Sequence, residues 1–207
     1  MPRPRLSRAR LLGLDRSGPP PPQTAPDAPL RPWTIPNAIG YTRAALIPLI
    51  LAFAYGSGSG TDPGVGICFF LAGAGDYADG IAARLTGQYS RMGALLDPVV
   101  DRLLVLAGVA VCWSYELLPR WLVAIVVARE IAMLVLGRMW VARGMSLRIN
   151  WPGRIAVGPT MFGIWLALLG VRDVGAGFVY CGIALALVAT GCYCRDGLRQ
   201  MRVSSSA

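Results

Sequence analysis

The sequence predicts an all-α integral membrane protein, a bundle of six transmembrane helices, and three observations predict it. The 207 residues are 55% hydrophobic and only 15% charged, with a mean hydropathy of +0.52, whereas soluble domains run at about 45–50% apolar and about 25% charged. Six apolar runs, each long enough or nearly so to cross a bilayer as a helix, are separated by turn residues. The arginines fall almost entirely on one side of the alternation these runs impose. Helices and closed barrels alone satisfy their backbone in hydrocarbon, and runs of this length point to helices.

Taken in order, residues 1–31 come first: Arg3, Arg5, Arg8, Arg10 and Arg16, then a proline run from Gly18 to Pro22. Such a composition buries no core. The apolar stretch from Leu11 to Leu14 is far too short for the core of a signal peptide. This segment is therefore expected to be a disordered cytoplasmic tail within reach of anionic lipid headgroups. The helical domain is expected over 32–198, with apolar runs at Ile39–Tyr55, Gly64–Arg84, Gly93–Tyr115, Trp121–Val141, Ile155–Leu169 and Gly177–Cys194. Turn chemistry lies between them: Gly56 to Gly60, the stretch around Gln88, Leu118-Pro119, Asn150 to Gly153, and Asp173 to Gly175. A short tail is expected over 199–207.

With the N-terminus inside, the inner segments hold the five tail arginines, Arg31, Arg84, Arg91, Arg143, Arg148, Arg154, Arg195, Arg199 and Arg202, and the outer ones only Arg120 and Arg172. Both termini are thus read as cytoplasmic, in a multi-pass protein of the cell membrane. That topology accounts for the net charge of +9, so nucleic acid is not an expected partner. There is no histidine, and all 20 basic residues are arginine, which excludes a His base and a Lys nucleophile. Cys68, Cys112, Cys181, Cys192 and Cys194 lie in apolar runs without metal or redox spacing and read as small packing residues.

The second and third runs carry charges that need a reason. Asp76 and Asp79 are three apart and Asp97 and Asp101 four apart, so each pair shares one helical face. Each carboxylate in hydrocarbon costs about 2.5–3.5 kcal/mol. Counted from Gln88, Asp76 and Asp101 lie 12 and 13 residues away and Asp79 and Asp97 both lie 9 away, so an antiparallel hairpin brings them to two matching levels. Gly80 and Gly93, lacking Cβ, permit helices or a ligand to approach closely. Four ionised carboxylates in a dry site need a counter-charge, and an all-oxygen donor set favours Mg²⁺, Mn²⁺ or Ca²⁺ over zinc. Arg84, one turn past Gly80, offers a fork-shaped donor set to a phosphate. One competing reading pairs the aspartates with Arg84, Arg91 and Arg102 as a salt-bridge network. Another is an ion transporter, which predicts acidic residues spread through the bilayer depth rather than gathered toward the cytoplasmic half.

Written out, Asp76-x2-Asp79-Gly80-x2-Ala83-Arg84-x8-Gly93-x3-Asp97-x3-Asp101 resembles the signature of the CDP-alcohol phosphotransferase family, and the resemblance runs from about Pro36 to the sixth helix. It implies six transmembrane helices around a polar cavity facing the cytoplasm. It also implies transfer of a phosphatidyl group from CDP-diacylglycerol to an alcohol, with release of CMP. Two divalent ions, Mg²⁺ or Mn²⁺, would be held by Asp76, Asp79 and Asp97, with Asp101 completing that acidic set as the general base. Gly80 and Ala83 would leave room for the cytidine and Arg84 would grip the diphosphate, with Gly93 and Asn37 as further CDP-lipid contacts. Upstream, Pro36-Asn37 and Arg43 resemble the family's opening Pro-Asn-x-x-Thr-x-x-Arg pattern, with Gly40 at the usual Thr position. Arg129-Glu130, Arg138, Arg148 and Gly153-Arg154 look like the branch of phosphatidylglycerophosphate and cardiolipin synthases. Arg129, Arg138, Arg148 and Arg154 are accordingly expected to bind an anionic acceptor, glycerol 3-phosphate first, with phosphatidylglycerol or an inositol phosphate as alternatives. The resemblance further implies a homodimer.

Overall fold

The computed structural model describes residues 30–142 and 151–204. The expected N-terminal tail lies outside the described residues except for Leu30 and Arg31, and so does Arg148. Among the described residues all regular structure is helical: α1 (Ile35–Ser57), α2 (Pro63–Thr86), α3 (Arg91–Ser114), α4 (Arg120–Ala142), α5 (Trp151–Leu168) and α6 (Arg172–Ser204). Each expected apolar run is a helix, and several helices reach beyond their runs.

Local chemistry explains the ends. Thr34 caps α1, its Oγ1 accepting the Asn37 N–H at 3.3 Å. Asp62 caps α2, its Oδ1 accepting the Gly64 N–H at 2.7 Å, and Pro63 fills the first helical position, where a missing N–H costs nothing. Gly87, at φ +67°, closes α2 in the left-handed conformation that favours glycine, its N–H returning to the Ala83 carbonyl at 2.9 Å. Ser90 then caps α3 by accepting the Gly93 N–H at 3.0 Å.

Three expected boundaries move. The sequence marks Asn150 to Gly153 as a turn, yet α5 starts at Trp151, because a proline in the first helical turn has no hydrogen bond to lose. Asp173 to Gly175 also belongs to a helix: Gly170, at φ +85°, makes the turn instead, and Asp173 in the first turn of α6 favours the helix dipole. At the other end α6 continues through 199–204, where a tail is expected, since Leu198, Arg199, Gln200 and Met201 are good helix formers with no proline among them.

The chain groups into two compact units. One takes residues up to Ala52 together with Ile67–Ala107, and the other takes Phe53–Gly66 with residues from Gly108 on. In the first, Ile47, Ile50, Phe69, Ala72, Val100 and Leu104 are buried and form its apolar interior. The second buries Val111, Leu117, Leu122, Ile164, Leu168 and Val179. Within it α5 meets α6 at two glycines: a Cβ on Gly163 would lie 2.5 Å from the Gly175 carbonyl oxygen, and one on Gly175 would lie 2.7 Å from that of Gly163. Such backbone-to-backbone crossings are the usual contact of membrane helices, where small residues replace the hydrophobic driving force. Trp165 Nε1 donates to the Gly66 carbonyl at 2.9 Å, fixing α5 to the first turn of α2.

Among the described residues, three helices are long and apolar enough to cross a membrane: Ile35–Ser57, Pro63–Thr86 and Arg172–Gly191, with Val157–Leu168 a shorter apolar helix. Arg91, Asp97, Asp101 and Arg102 interrupt the apolar length of α3, and Arg120, Arg129, Glu130 and Arg138 that of α4. Large apolar side chains including Ile67, Phe70, Leu71, Leu106, Leu187 and Val188 are exposed, a surface suited to lipid rather than water. Buried Cys68 and Cys112 occupy the packing role read from the sequence.

Candidate active site

The acidic residues of α2 and α3 meet around a side chain of α1. Arg43 is 1% exposed, and its guanidinium reaches both partner helices. Nε donates to the Ala72 carbonyl at 2.9 Å. NH1 donates to Asp79 Oδ2 at 2.9 Å and lies 3.2 Å from Asp76 Oδ1, while NH2 is bonded to Asp101 Oδ1. The hairpin expected from the sequence is therefore present in its essential feature, since Asp76 and Asp79 of α2 and Asp101 of α3 converge on one point. Asp97, four residues before Asp101 on α3, faces α1, its Oδ1 4.0 Å from where a Cβ on Gly40 would lie.

Exposure divides these carboxylates. The Asp79 side chain is 8% exposed, whereas those of Asp76 and Asp101 are 53% and 51% exposed. One is committed to the interior, and two are bonded on one side and open on the other. The salt-bridge reading looks to Arg84, Arg91 and Arg102 for the counter-charge. Arg43, a residue the sequence singles out only as the end of the Pro-Asn pattern, supplies counter-charge to Asp76, Asp79 and Asp101. Its distance along the chain, 36 residues from Asp79 and 58 from Asp101, hides the contact.

The glycines differ in what they face. A Cβ on Gly80 would lie 3.5 Å from both terminal nitrogens of Arg84, so that guanidinium folds back over Gly80 as the one-turn spacing requires. Ala83 is half-buried one residue before it. Gly93 serves packing, since a Cβ there would lie 2.8 Å from Asn37 Oδ1 and 3.3 Å from Ser90 Oγ. Those two groups are joined, Ser90 donating to Asn37 at 2.8 Å. Asn37 in turn donates through Nδ2 to the Arg31 and Pro32 carbonyls, both at 3.0 Å. Buried Asn37, expected as a CDP-lipid contact, thus joins the entry to α1 and the start of α3 through these bonds. Gly40, at the family's usual Thr position, is buried against α3, and a Cβ there would lie 2.9 Å from Leu96 Cδ2 and 4.0 Å from Asp97 Oδ1. Close helix contact replaces a hydroxyl at that place.

The residues expected to hold the acceptor belong to the second unit. Arg129 is paired with its neighbour Glu130 and shares a small cavity with Thr160 and Thr190. Arg138 is exposed. Arg154 lies in the first turn of α5, with its side chain outside the described residues, and Arg148 lies outside them altogether.

Whether these groups suit a divalent ion is a matter of donor chemistry. Every candidate ligand is a carboxylate oxygen, which fits a hard cation. As placed, the carboxylates face a guanidinium, and among the described residues no three acidic or thiol groups are gathered tightly enough around one point to hold an ion.

The described fold is all-helical, with three helices apolar enough to cross a membrane and an acidic cluster between α1, α2 and α3. The sequence profile of the CDP-alcohol phosphatidyltransferases matches residues 33–190, and the chain belongs to that family. It is similar to a Mycobacterium tuberculosis protein provisionally named a cardiolipin synthase, at 38% identity over 69% of this chain and 68% of the relative. It is also similar to the cardiolipin synthase (CMP-forming) of Streptomyces coelicolor, at 37% identity over 67% and 66%. The CDP-diacylglycerol–glycerol-3-phosphate 3-phosphatidyltransferase of Bacillus subtilis is 28% identical over 66% of this chain and 77% of its own. The chain is accordingly a transferase of phospholipid biosynthesis.

Proposed function

We propose that the chain transfers the phosphatidyl group of CDP-diacylglycerol to the hydroxyl of a glycerol-based, phosphate-bearing acceptor, at a site opening to the cytoplasm, in a chain of six membrane-spanning helices with both termini inside. The observation that carries this reading is the convergence of Asp76, Asp79 and Asp101 on Arg43, with Asp76 and Asp101 half exposed beside it. Asp101 is bonded through one oxygen and open to solvent over half of its side chain, so an acceptor hydroxyl can reach it. The hydroxyl oxygen attacks the phosphatidyl phosphorus, its proton passes to Asp101, and the bond to the CMP oxygen breaks. Arg84, lying over Gly80, places a cation where the diphosphate enters.

Asp76, Asp79 and Asp97, with Asp101 beside them, are the residues that would hold Mg²⁺ or Mn²⁺. When bound, such ions neutralise the diphosphate and stabilise the departing CMP. The family's homodimer remains part of this reading.

The sequence puts glycerol 3-phosphate first as acceptor. The relatives named cardiolipin synthases share 37–38% identity with the chain, against 28–29% for those named glycerol-3-phosphate phosphatidyltransferases, which favours phosphatidylglycerol as acceptor. Purified protein incubated with CDP-diacylglycerol, Mn²⁺ and each acceptor in turn decides. Cardiolipin as the product supports phosphatidylglycerol, phosphatidylglycerophosphate restores the first expectation, and CMP release with neither overturns both.

A further inference from the structure

Arg43 is the only arginine among the buried residues described, and the fold makes room for it. On α2, Gly75 faces its stem: a Cβ there would lie 2.7 Å from Arg43 Cγ and 2.8 Å from Cδ, so the arginine lies in a notch that only glycine leaves open. The bond from Nε to the Ala72 carbonyl fixes the plane of the guanidinium. Because that group is a rigid fork, fixing Nε also aims NH1 at Asp76 and Asp79 and NH2 at Asp101. A lysine ammonium, a point charge on a flexible stem, cannot be aimed in this way. These bonds direct the guanidinium into the protein, and with 1% exposure it has no surface from which to grip a substrate phosphate.

We propose that Arg43 is a positioning residue, the resident cation of the acidic site, which holds Asp76, Asp79 and Asp101 of two helices in one cluster. Without it, Asp79 is an almost fully buried carboxylate with no counter-charge, and Asp76 and Asp101 lose the group that joins α2 to α3. Removing one partner of a buried pair is far more damaging than never having built the pair. The metal arm of the test below rests on the proposed phosphatidyl-transfer reading; the claim about Arg43 does not.

The test is a thermal-unfolding cycle on the full chain in detergent micelles with excess EDTA, using wild type, Arg43→Gln, Asp79→Asn and the double variant. Arg43→Gln is expected to lower the midpoint by roughly 6–20 °C. Adding Asp79→Asn is expected to return at least half of that loss, because the uncompensated charge is gone, and Arg43→Lys falls between wild type and Arg43→Gln. Additive losses in the double variant overturn the proposal, since a side chain that merely fills space gives no such coupling. If Arg43→Gln alone yields no folded protein, folded yield is read instead, and failure of Asp79→Asn to restore any overturns the proposal equally. Mn²⁺ in place of EDTA is expected to raise the midpoint of Arg43→Gln more than that of wild type, because an added cation takes over the missing charge. Equal increments overturn the resident-cation role. No increment in any variant removes the metal from the proposed function, and the EDTA cycle still decides Arg43.

Discussion

In the proposed reaction Asp101 has two opposed requirements. To take a proton it must be reachable, and to be aimed it must be held. Half of its side chain is exposed, while one oxygen is bonded to Arg43, and this divides the two roles between its two oxygens. Replacing the carboxylate by an isosteric amide keeps the shape and removes the basicity. Asp101→Asn is therefore expected to bind CDP-diacylglycerol nearly as wild type does while turnover falls by about 10²–10⁴, read by equilibrium binding beside CMP release. Wild-type turnover would remove Asp101 as base. Arg84 differs in kind from Arg43: it is half-buried over Gly80, not sealed inside. A lost charge-assisted hydrogen bond costs about 1.5–3 kcal/mol, so Arg84→Gln is expected to raise the KM for the CDP-lipid by about 10–100-fold, with the acceptor KM little changed. The opposite pattern would move Arg84 to the acceptor side.

At the scale of the helices, the contacts that matter are made by absent side chains. Gly163 and Gly175 bring the backbones of α5 and α6 together so closely that any side chain at either meets a main-chain oxygen. Main chain inside a helix cannot move aside as a flexible side chain can. Gly163→Ala is thus expected to destabilise the second unit by about 1–3 kcal/mol, measured as a fall in the unfolding midpoint in detergent. An unchanged midpoint would mean that α5 and α6 are farther apart than the glycines indicate. Gly93 and Gly40 do the same for α1 against α3, one admitting the Asn37–Ser90 bond and the other the Leu96 side chain.

For the whole molecule, the acidic cluster has to be reconciled with the proposed substrates, since both are anionic. Four carboxylates repel a diphosphate unless a cation lies between, and one buried guanidinium cannot neutralise them all. Activity is accordingly expected to vanish with a chelator and to return with Mg²⁺ or Mn²⁺, measured as CMP release; full activity in excess EDTA would exclude the ions. For the acceptor, Arg148→Gln or Arg154→Gln is expected to raise the acceptor KM by about tenfold or more with CDP-lipid affinity unchanged, because a lost contact weakens only the ligand it touched. Arg129 is a weaker candidate, since Glu130 already holds its guanidinium. Wild-type acceptor KM in both variants would point to an acceptor bound through hydroxyl and backbone groups.

Much of this protein is fixed by local rules that act along the chain. The existence of six helices follows from apolar length, and the matching levels of Asp76 with Asp101 and of Asp79 with Asp97 across an antiparallel hairpin follow from helical rise counted out from Gln88. The family follows from residues whose spacing is itself the signal. Helix ends are less legible where two local signals compete, as at Pro152 and Asp173, because both residues suit a turn and a first helical turn equally well. What the sequence could not contain is the rotation of α1 about its own axis. That rotation decides that Arg43 becomes a counter-charge of the acidic cluster, and that both hydrogens of Asn37 are spent on carbonyls. Spacing states which side chains share a helical face. Only packing, through a notch at Gly75 and a close approach at Gly40 and Gly93, decides which face meets which, because the choice depends on atoms 29 to 58 residues apart filling one small volume.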